Sequence, residues 1–433
     1  MNTKNKDIII TGFALFAMFF GAGNLIFPPY LGVITGNKFL IGVIGFILAD
    51  AGLSLLAIIA AAKTDGDTKR VFGRAGKTFA LVLGCAIMIC LGPLLAIPRT
   101  AATTFEMGIS PLIPGFNSLL FSAIFFTITL VLTIKPSKVV DIIGSYLTPA
   151  LLICLLVIIA VGVLNPIGNI NEAAIKNVFN EGILQGYQTL DALGAICLST
   201  VLIRNLVQKG YKQEKDRVNI LLKAGIIATI GLAVVYGGLT YLGATVSSLY
   251  DIHVNQSTLI VAITVALLGT PGKIILSLIV TLACLTTAIG LTSATAQYFS
   301  TITKNKLKYE HIVIVICLFS LVISTLGVGA IIKISAPILS LIYPATIILM
   351  AMTIFSKFVK NDNIVKGSTY VALIMGVFMA AKDLGMNISF IDKLPFASLG
   401  FCWVVPAVIG GIIGSFIKSS KKDRNEESEE IAV

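Results

Sequence analysis

The chain has 433 residues, of which 56% are hydrophobic and only 12% are charged, whereas a soluble domain carries about 25% charged residues. This shortage of charge excludes an ordinary soluble enzyme, because most of its water-facing surface would be apolar. Apolar stretches of about 20 residues, the length that a helix needs to cross a bilayer, recur along the whole chain. The sequence therefore predicts an all-α polytopic membrane protein.

Twelve membrane-spanning helices are predicted. They lie at about 8–34, 39–62, 78–106, 117–134, 139–164, 183–205, 222–245, 274–301, 311–328, 334–356, 367–382 and 397–417. With the connections assigned alternately from an inside N-terminus, most of the 32 Lys and Arg residues and the net charge of +11 fall on the inside. The outside set is Lys38, Lys176, Lys273, Lys333, Lys382 and Lys393. This asymmetry follows the positive-inside rule, so both termini are predicted to be cytoplasmic and the charge implies no nucleic-acid partner.

A single transmembrane domain is predicted over residues 1–417, followed by a charged cytoplasmic tail at 418–433. The longest outside connections, 165–182 and 246–273, are each long enough for a short helix. The seven cysteines lie inside predicted spans, where they are expected to act as small hydrophobic side chains rather than as disulfides or metal ligands.

The first span is interrupted at Phe20-Gly21-Ala22-Gly23-Asn24. Glycine costs a helix about 1 kcal/mol relative to alanine, and backbone groups exposed in lipid are costly unless they find partners. Freed carbonyls suit a cation, and freed N–H groups at a helix N-terminus suit a carboxylate. The break is therefore predicted to bind sodium and an amino acid. The alternative is a packing notch between helices.

The sixth span carries Gln188, Thr189 and Asp191 near its middle. A carboxylate inside a span is a functional-site hypothesis by default. Asp191 could neutralise a substrate ammonium, contribute to a sodium site or carry a coupling proton. The alternative is a structural role, in which it accepts backbone hydrogen bonds of the broken helix.

Interruptions in the first and sixth spans are typical of an inverted five-plus-five repeat, and such a pair points to a transporter binding site. The first repeat would cover about 8–164 and the second about 183–356, with two extra helices at about 367–417. The repeat is inferred from the positions of the breaks alone.

Ala283, Thr286 and Thr287 in the eighth span share one helix face, because they are three and four residues apart. A carbonyl and two hydroxyls are hard oxygen ligands of the kind that an alkali cation accepts. The alternative is that both hydroxyls bond back to a carbonyl of their own helix.

Other charged residues within spans are weaker candidates. Asp50 lies in the second span, and Arg99 and Glu106 lie about two turns apart near the outer end of the third, where snorkelling or a structural ion pair is expected. No metalloprotease, P-loop or nucleophile-elbow motif is present. The sequence therefore predicts neither an enzyme nor an organic cofactor nor an ATPase subunit, and an ion gradient remains as the driving force.

The stretch Phe19–Pro29, the pairs Gly92-Pro93 and Pro98-Arg99, and Thr189–Ala192 resemble the bacterial branched-chain amino acid carrier family of the BrnQ type. The resemblance covers essentially the whole chain. It implies symport of leucine, isoleucine and valine with sodium, or in some members with a proton. It also implies a multi-pass protein of the bacterial inner membrane, surrounded by lipid.

That family is in turn similar to the leucine-transporter fold of sodium symporters, and this resemblance implies roles for individual residues. The substrate would be bound by Ala22, Gly23, Asn24, Gln188, Thr189 and Asp191, with the N–H groups of Ala22 and Gly23 on its carboxylate. One sodium would be held by Ala17, Phe20, Ala283, Thr286 and Thr287, and a second by Phe19, Asn24 and Thr189. Asp191 stands where the fold commonly has a small hydroxyl residue. The fifth span lacks the lysine that often replaces a sodium in proton-coupled relatives, which favours sodium.

Three hypotheses follow from the sequence. The first is a sodium-coupled carrier of branched-chain amino acids, whose apolar substrate is favoured because no second acidic or basic residue is predicted at the break. The second is a carrier of the same fold that is coupled to protons or moves another small apolar solute. The third is a channel or membrane sensor, for which no filter motif is evident.

Overall fold

The computed structural model describes residues 3–134 and 138–417, so the predicted tail at 418–433 lies outside the described residues. Within these ranges the chain is helical and contains no strand. The helices are α1 (Thr3–Phe19), α2 (Ala22–Thr35), α3 (Phe39–Ile47), α4 (Leu53–Lys63), α5 (Thr68–Gly73), α6 (Lys77–Ile89), α7 (Ala96–Thr103), α8 (Ser118–Ile134), α9 (Lys138–Leu164), α10 (Val178–Tyr187), α11 (Asp191–Gln208), α12 (Glu214–Thr245), α13 (Gln256–Ile302), α14 (Tyr309–Ser324), α15 (Val328–Ile354), α16 (Asp362–Asp383) and α17 (Val404–Ser415). Turns of π-helix lie at Leu48–Gly52, Cys90–Leu94 and Thr104–Ile109, and 3-10 turns at Gly36–Lys38, Ile391–Lys393 and Ala397–Leu399.

Each predicted span coincides with one of these helices or with two that follow each other. Among the residues that the structure describes, six helical segments are able by length and composition to cross a membrane: Ala22–Lys63, Lys77–Ile109, Glu214–Thr245, Gln256–Ile302, Val328–Ile354 and Asp362–Asp383. Shorter apolar helices lie at Ser118–Ile134, Leu152–Leu164, Tyr309–Ser324 and Val404–Phe416. The prediction of an all-helical membrane protein is confirmed at this level.

Two spans are broken where the sequence places the interruptions. Between α1 and α2 lie Phe20 and Gly21, and Gly21 is extended (φ −116°, ψ −169°). Between α10 and α11 lies the segment 188–190, in which Leu190 has a left-handed conformation (φ 69°). That conformation costs a residue with a side chain about 1–2 kcal/mol, so the second break is held open by its surroundings.

The outside connection predicted at 246–273 is largely helical. α13 begins there, with the Asn255 side chain accepting the N–H of Ser257 at 3.0 Å. The helix then changes direction at Gly269 (φ 63°), two residues before Pro271. Glycine supplies the positive φ and proline lacks the N–H that would continue the ladder, so these two residues set the bend.

α2 lies in the interior of the fold, where it packs against α10, α12 and α13. Its closest approach is to α12. A Cβ added to Gly243 would lie 1.9 Å from the Pro29 carbonyl oxygen, and one added to Gly32 would lie 2.0 Å from that of Thr240. Only glycine fits at these two positions, and the contact fixes α2, with the break at its N-terminus, against α12.

Large apolar side chains cover much of the outer surface, including Leu40, Val315 and Leu318, each more than half exposed. Soluble monomers rarely expose large contiguous apolar patches, whereas lipid solvates such a surface at no cost. All seven cysteines are free thiols, and each is at least partly buried, in agreement with the prediction that they act as small hydrophobic side chains.

Candidate functional site

The first turns of α2 and α11 meet at the centre of the molecule. Asn24 is wholly buried, and its Nδ2 donates a hydrogen bond to Oδ2 of Asp191 at 2.8 Å. The same Nδ2 also donates to the hydroxyl of Tyr236 on α12, while Asn24 Oδ1 accepts the N–H of Gly21 at 3.1 Å. One asparagine therefore ties the two breaks to each other and to α12.

Ala22 and Gly23 form the start of α2, where the backbone N–H groups have no acceptor within the helix. A Cβ added to Gly23 would lie 3.1 Å from Arg99 Nη2 and 3.3 Å from the Cα of Thr189. The missing side chain lets α2 approach the second break closely. N–H groups in such a first turn, supported by the helix dipole, suit a carboxylate.

Arg99, on α7, fills the second break. Its guanidinium donates to the carbonyl oxygen of Gln188 and, at 3.1 Å, to that of Thr189. The side chain is only 4% exposed, and its guanidinium carbon lies 5.5 Å from the centre of the Phe27 ring. The carbonyls that the unwound backbone leaves without helical donors are thus satisfied by a side chain from another span.

The expected ion pair between Arg99 and Glu106 is not formed. Glu106 accepts the N–H of Val328 at 2.8 Å, at the start of α15, and the hydroxyl of Ser257 in the first turn of α13. The prediction that Arg99 would snorkel or form a structural ion pair is therefore wrong, because two freed carbonyls lie within its reach. A cation in an apolar span was the signal that could have identified it as part of the site.

Asp50, which the sequence ranks as a weaker candidate, is wholly buried in the π-turn between α3 and α4. Its Oδ1 accepts the hydroxyl of Thr189 at 2.8 Å, and that hydroxyl also lies 2.7 Å from the carbonyl oxygen of Gly186. The side chains of Asp191 and Tyr236 are its nearest ionisable partners. Asp50 and Asp191 therefore lie side by side at the second break.

Gln188 faces α15. Its side-chain oxygen accepts the hydroxyl of Ser335, and the Gln188 side chain is nearly wholly buried. The preceding Tyr187 stacks on Tyr343 with 4.1 Å between ring centroids, and the Tyr343 hydroxyl donates to the Tyr187 carbonyl at 3.2 Å. These contacts hold the end of α10 against α15.

Ala283, Thr286 and Thr287 on α13 (the group on α13) lie on one face of the helix. The hydroxyls of Thr286 and Thr287 each donate to the Ala283 carbonyl at 2.9 Å, so the three oxygens are gathered but directed toward their own helix. The remaining predicted sodium ligands, all on or next to the end of α1, are Ala17, Phe19 and Phe20, of which the two phenylalanines are buried. No hydrogen bond within the described residues joins these to the α13 group.

Three ionisable side chains from three different spans, Asp50, Arg99 and Asp191, thus meet at the second break. The sequence argument that no second acidic or basic residue lies there is wrong. Asp191 keeps part of its surface accessible, whereas Asp50 and Arg99 are buried. The region presents the first-turn N–H groups of α2, which suit an anion, and a partly accessible carboxylate, which suits a cation, as recognition of a zwitterion requires.

The chain matches the family model of branched-chain amino acid transport proteins over residues 4–421. It is 37% identical to the branched-chain amino acid permease BraB of Bacillus subtilis, over 94% of this chain and 95% of the relative. It is 34% identical to the permease BrnQ of the same organism, over 94% of this chain and 96% of the relative. A putative branched-chain amino acid carrier protein of Staphylococcus aureus is 36% identical, with 96% and 98% covered. These are transport proteins, which confirms the prediction that the chain is not an enzyme.

Solved transporter structures share the fold at low sequence identity. The chain is similar to Mhp1, a nucleobase-cation-symport-1 family transporter in a closed conformation, with a TM-score of 0.64 at 13% identity, covering 97% of this chain and 96% of Mhp1. It is also similar to MhsT in complex with L-phenylalanine, with a TM-score of 0.55 at 16% identity, covering 95% and 98%. The predicted likeness to leucine-transporter-fold proteins is thereby confirmed.

Proposed function

The chain belongs to the family of branched-chain amino acid transport proteins, and on that premise we propose that it imports leucine, isoleucine and valine by symport with sodium. The observation that supports this most directly is the hydrogen bond from Asn24 to Asp191, which brings the two helix breaks into contact. Paired breaks supply backbone groups and a carboxylate at one point inside an apolar protein. An amino acid and a cation need this combination in order to leave water.

In this proposal the backbone N–H groups of Ala22 and Gly23 bind the substrate carboxylate, and Asp191 binds its ammonium. Asn24, Gln188 and Thr189 complete the substrate site by orienting these groups. Of the two other buried charges, the guanidinium of Arg99 is engaged by the backbone and is not free to bind an acidic substrate side chain. Arg99 is directed at the carbonyls of the break, and Asp50 interacts with Thr189 and Asp191.

Sodium is proposed as the coupling ion, with two candidate sites. The first comprises Ala17, Phe20, Ala283, Thr286 and Thr287, whose hydroxyls would turn from the Ala283 carbonyl to the ion. The second comprises Phe19, Asn24 and Thr189. The alternative is coupling to a proton, which the neighbouring carboxylates of Asp50 and Asp191 would bind.

We further propose that all twelve spans cross the bacterial inner membrane, that residues 1–417 form one domain and that both termini are cytoplasmic. The breaks in the first and sixth spans support the five-plus-five inverted repeat, and the positive-inside distribution of Lys and Arg supports the orientation. Accessibility of single cysteines placed in the connections would test the orientation.

The deciding experiment is uptake of radiolabelled leucine by the purified full-length protein in liposomes, with sodium and pH gradients imposed independently. An inward sodium gradient at equal pH should drive accumulation of leucine above equilibrium. Accumulation with a pH gradient alone, and none with sodium, would establish proton coupling instead. If leucine only equilibrates, and neither gradient raises its inside concentration above the outside concentration, a channel would be favoured.

A further inference from the structure

Asp50 has no role in the sodium sites that the fold suggests, yet it lies at the centre of the candidate site. It is held in the π-turn Leu48–Gly52, which interrupts the regular ladder between α3 and α4. Such turns often occur at functional sites, because they redirect a side chain that a regular helix would place elsewhere. This turn packs against α10 and α11, the two halves of the broken sixth span.

One oxygen of Asp50 lacks a hydrogen bond of normal length in the described part of the chain. Oδ1 accepts the hydroxyl of Thr189, whereas Oδ2 has no such donor, although Asp50 is wholly buried and the side chains of Tyr236 and Asp191 lie beside it. Its neighbour Asp191 is also an acceptor when ionised. An unpartnered carboxylate oxygen beside a second carboxylate is costly in a buried site, unless a cation lies between them.

The charges at the second break do not balance. Arg99 is the buried cation beside Asp191 among the described residues, and it donates its hydrogen bonds to the carbonyls of Gln188 and Thr189. The other titratable groups nearby are the hydroxyls of Tyr236 and Tyr343 and the thiol of Cys284, which are neutral at ordinary pH. When both carboxylates are ionised, they and the guanidinium leave one net negative charge, which a single monovalent cation would neutralise.

We propose that a sodium ion binds between Asp50 and Asp191, with Oδ2 of Asp50, a carboxylate oxygen of Asp191 and the Thr189 hydroxyl oxygen as ligands. The inference rests on the proposed sodium symport and revises its second sodium site. Asn24 does not offer its oxygen there, because Oδ1 accepts the N–H of Gly21 and Nδ2 faces Asp191. The carboxylate of Asp50 takes its place as an oxygen ligand, in keeping with the preference of hard cations for charged oxygens.

The group on α13 serves as an internal comparison. Its two threonine hydroxyls are already satisfied by the Ala283 carbonyl, and no carboxylate is among its members. Asp50 is the residue with an unsatisfied charged oxygen. The ion between Asp50 and Asp191 therefore makes the larger contribution to sodium affinity in the conformation that the structure describes.

The test is the sodium dependence of leucine binding to the full-length protein in nanodiscs, at constant pH and ionic strength, for the wild type, Asp50→Asn and Asp251→Asn. Asp50→Asn keeps the shape of the side chain and removes the charge. It should raise the sodium concentration for half-maximal leucine binding at least tenfold. Asp251→Asn removes the same charge from an exposed position and should match the wild type.

The outcomes separate this inference from the proposed function. If wild-type leucine binding is independent of sodium, the proposed symport fails and the site fails with it. If the wild type requires sodium and Asp50→Asn has the same half-saturating sodium concentration, only this inference is overturned. Should Asp50→Asn not fold, Thr189→Val removes the hydroxyl ligand with little change in shape. It should raise the half-saturating sodium concentration at least threefold, and an unchanged value would overturn the assignment.

Discussion

At the scale of single residues, Asn24 is the most informative position, because one amide joins both helix breaks. Asn24→Ala would leave the Asp191 carboxylate and the Tyr236 hydroxyl without that donor. Loss of a buried hydrogen bond that leaves its partner unsatisfied costs about 1–3 kcal/mol, which is roughly 5- to 150-fold in affinity. Leucine binding at saturating sodium should weaken by a factor in this range.

The measurement is a leucine binding isotherm on purified protein. Asn117→Ala is the matched control, since Asn117 caps α8 by accepting the N–H of Leu119 and takes no part in the site. A leucine Kd within twofold of the wild type in Asn24→Ala would show that the bond between the breaks does not support binding.

Arg99 gives a second prediction at this scale, this time for stability. Arg99→Met keeps the apolar stem but leaves the carbonyls of Gln188 and Thr189 without donors. Two unsatisfied buried acceptors should lower the free energy of unfolding by about 2–5 kcal/mol. The free energy of unfolding of Arg99→Lys, whose ammonium can donate to one of the two carbonyls, should lie between those of Arg99→Met and the wild type. Thermal unfolding in detergent measures the effect, and wild-type stability of Arg99→Met would mean that the guanidinium does not hold the break.

Sequence reasoning ranked Asp50 and Arg99 too low, because each makes its contacts with residues that are distant in the chain. Thr189 and Asp50 are 139 residues apart in the chain, and Arg99 and Gln188 are 89 apart. Their contacts depend on how spans pack in three dimensions, and hydropathy gives the order of spans along the chain but not which face of one meets which face of another. Asn24 and Asp191 could be predicted because each lies in a break that local composition marks.

At the scale of helices, the N-terminal end of α1 is attached to the connection between α11 and α12. Asp7 accepts hydrogen bonds from the Lys209 ammonium at 2.7 Å and from the Tyr211 hydroxyl at 2.8 Å, and Lys4 pairs with Asp216 at 2.9 Å. The hydrogen bonds from Lys209 and Tyr211 hold the pKa of Asp7 below its ordinary value of 3.8. The ionised Asp7 therefore favours the attached state of α1 at every pH above 3.8, and this contribution disappears only as the pH falls through the lowered pKa.

The prediction is that attachment of α1 is unchanged between pH 8 and pH 5 in the wild type and weaker at both in Asp7→Asn. The strength of this attachment is measured by hydrogen exchange of the α1 amides, corrected for the intrinsic effect of pH on exchange. The isosteric amide keeps the shape of Asp7 and loses the charge that Lys209 pairs with. A sharp change in corrected wild-type exchange between pH 8 and pH 5 would contradict the prediction, because Asp7 stays ionised over that whole range.

Other helical features differ in how far the sequence specifies them. The break between α1 and α2 follows from two glycines in an apolar span, and the bend of α13 from Gly269 and Pro271. The left-handed Leu190 has no such local signal, because leucine normally favours a helix. That conformation depends on tertiary contacts that the sequence does not display.

At the scale of the whole molecule, the expected selectivity is for apolar amino acids of similar size. Excess isoleucine and valine should inhibit leucine uptake, because one methylene changes binding by only about 1–3 kcal/mol. Lysine and glutamate should inhibit little, since Arg99 is engaged by the break and a buried charge without a partner is costly. Competition assays in liposomes measure this, and strong inhibition by lysine would instead assign a carboxylate of the site to the substrate side chain.

The meeting of α2 and α11 at Asn24 and Asp191 has a consequence for molecules closely related to the substrate. Both helices begin there, so the positive ends of two macrodipoles converge on one point. The amine formed by decarboxylating leucine keeps the side chain and the ammonium, but it brings an unbalanced positive charge to that point. The corresponding 2-oxo acid keeps the carboxylate and has nothing to offer Asp191. The carrier would thus distinguish the amino acid from both of its first breakdown products by charge, although all three share the same hydrocarbon.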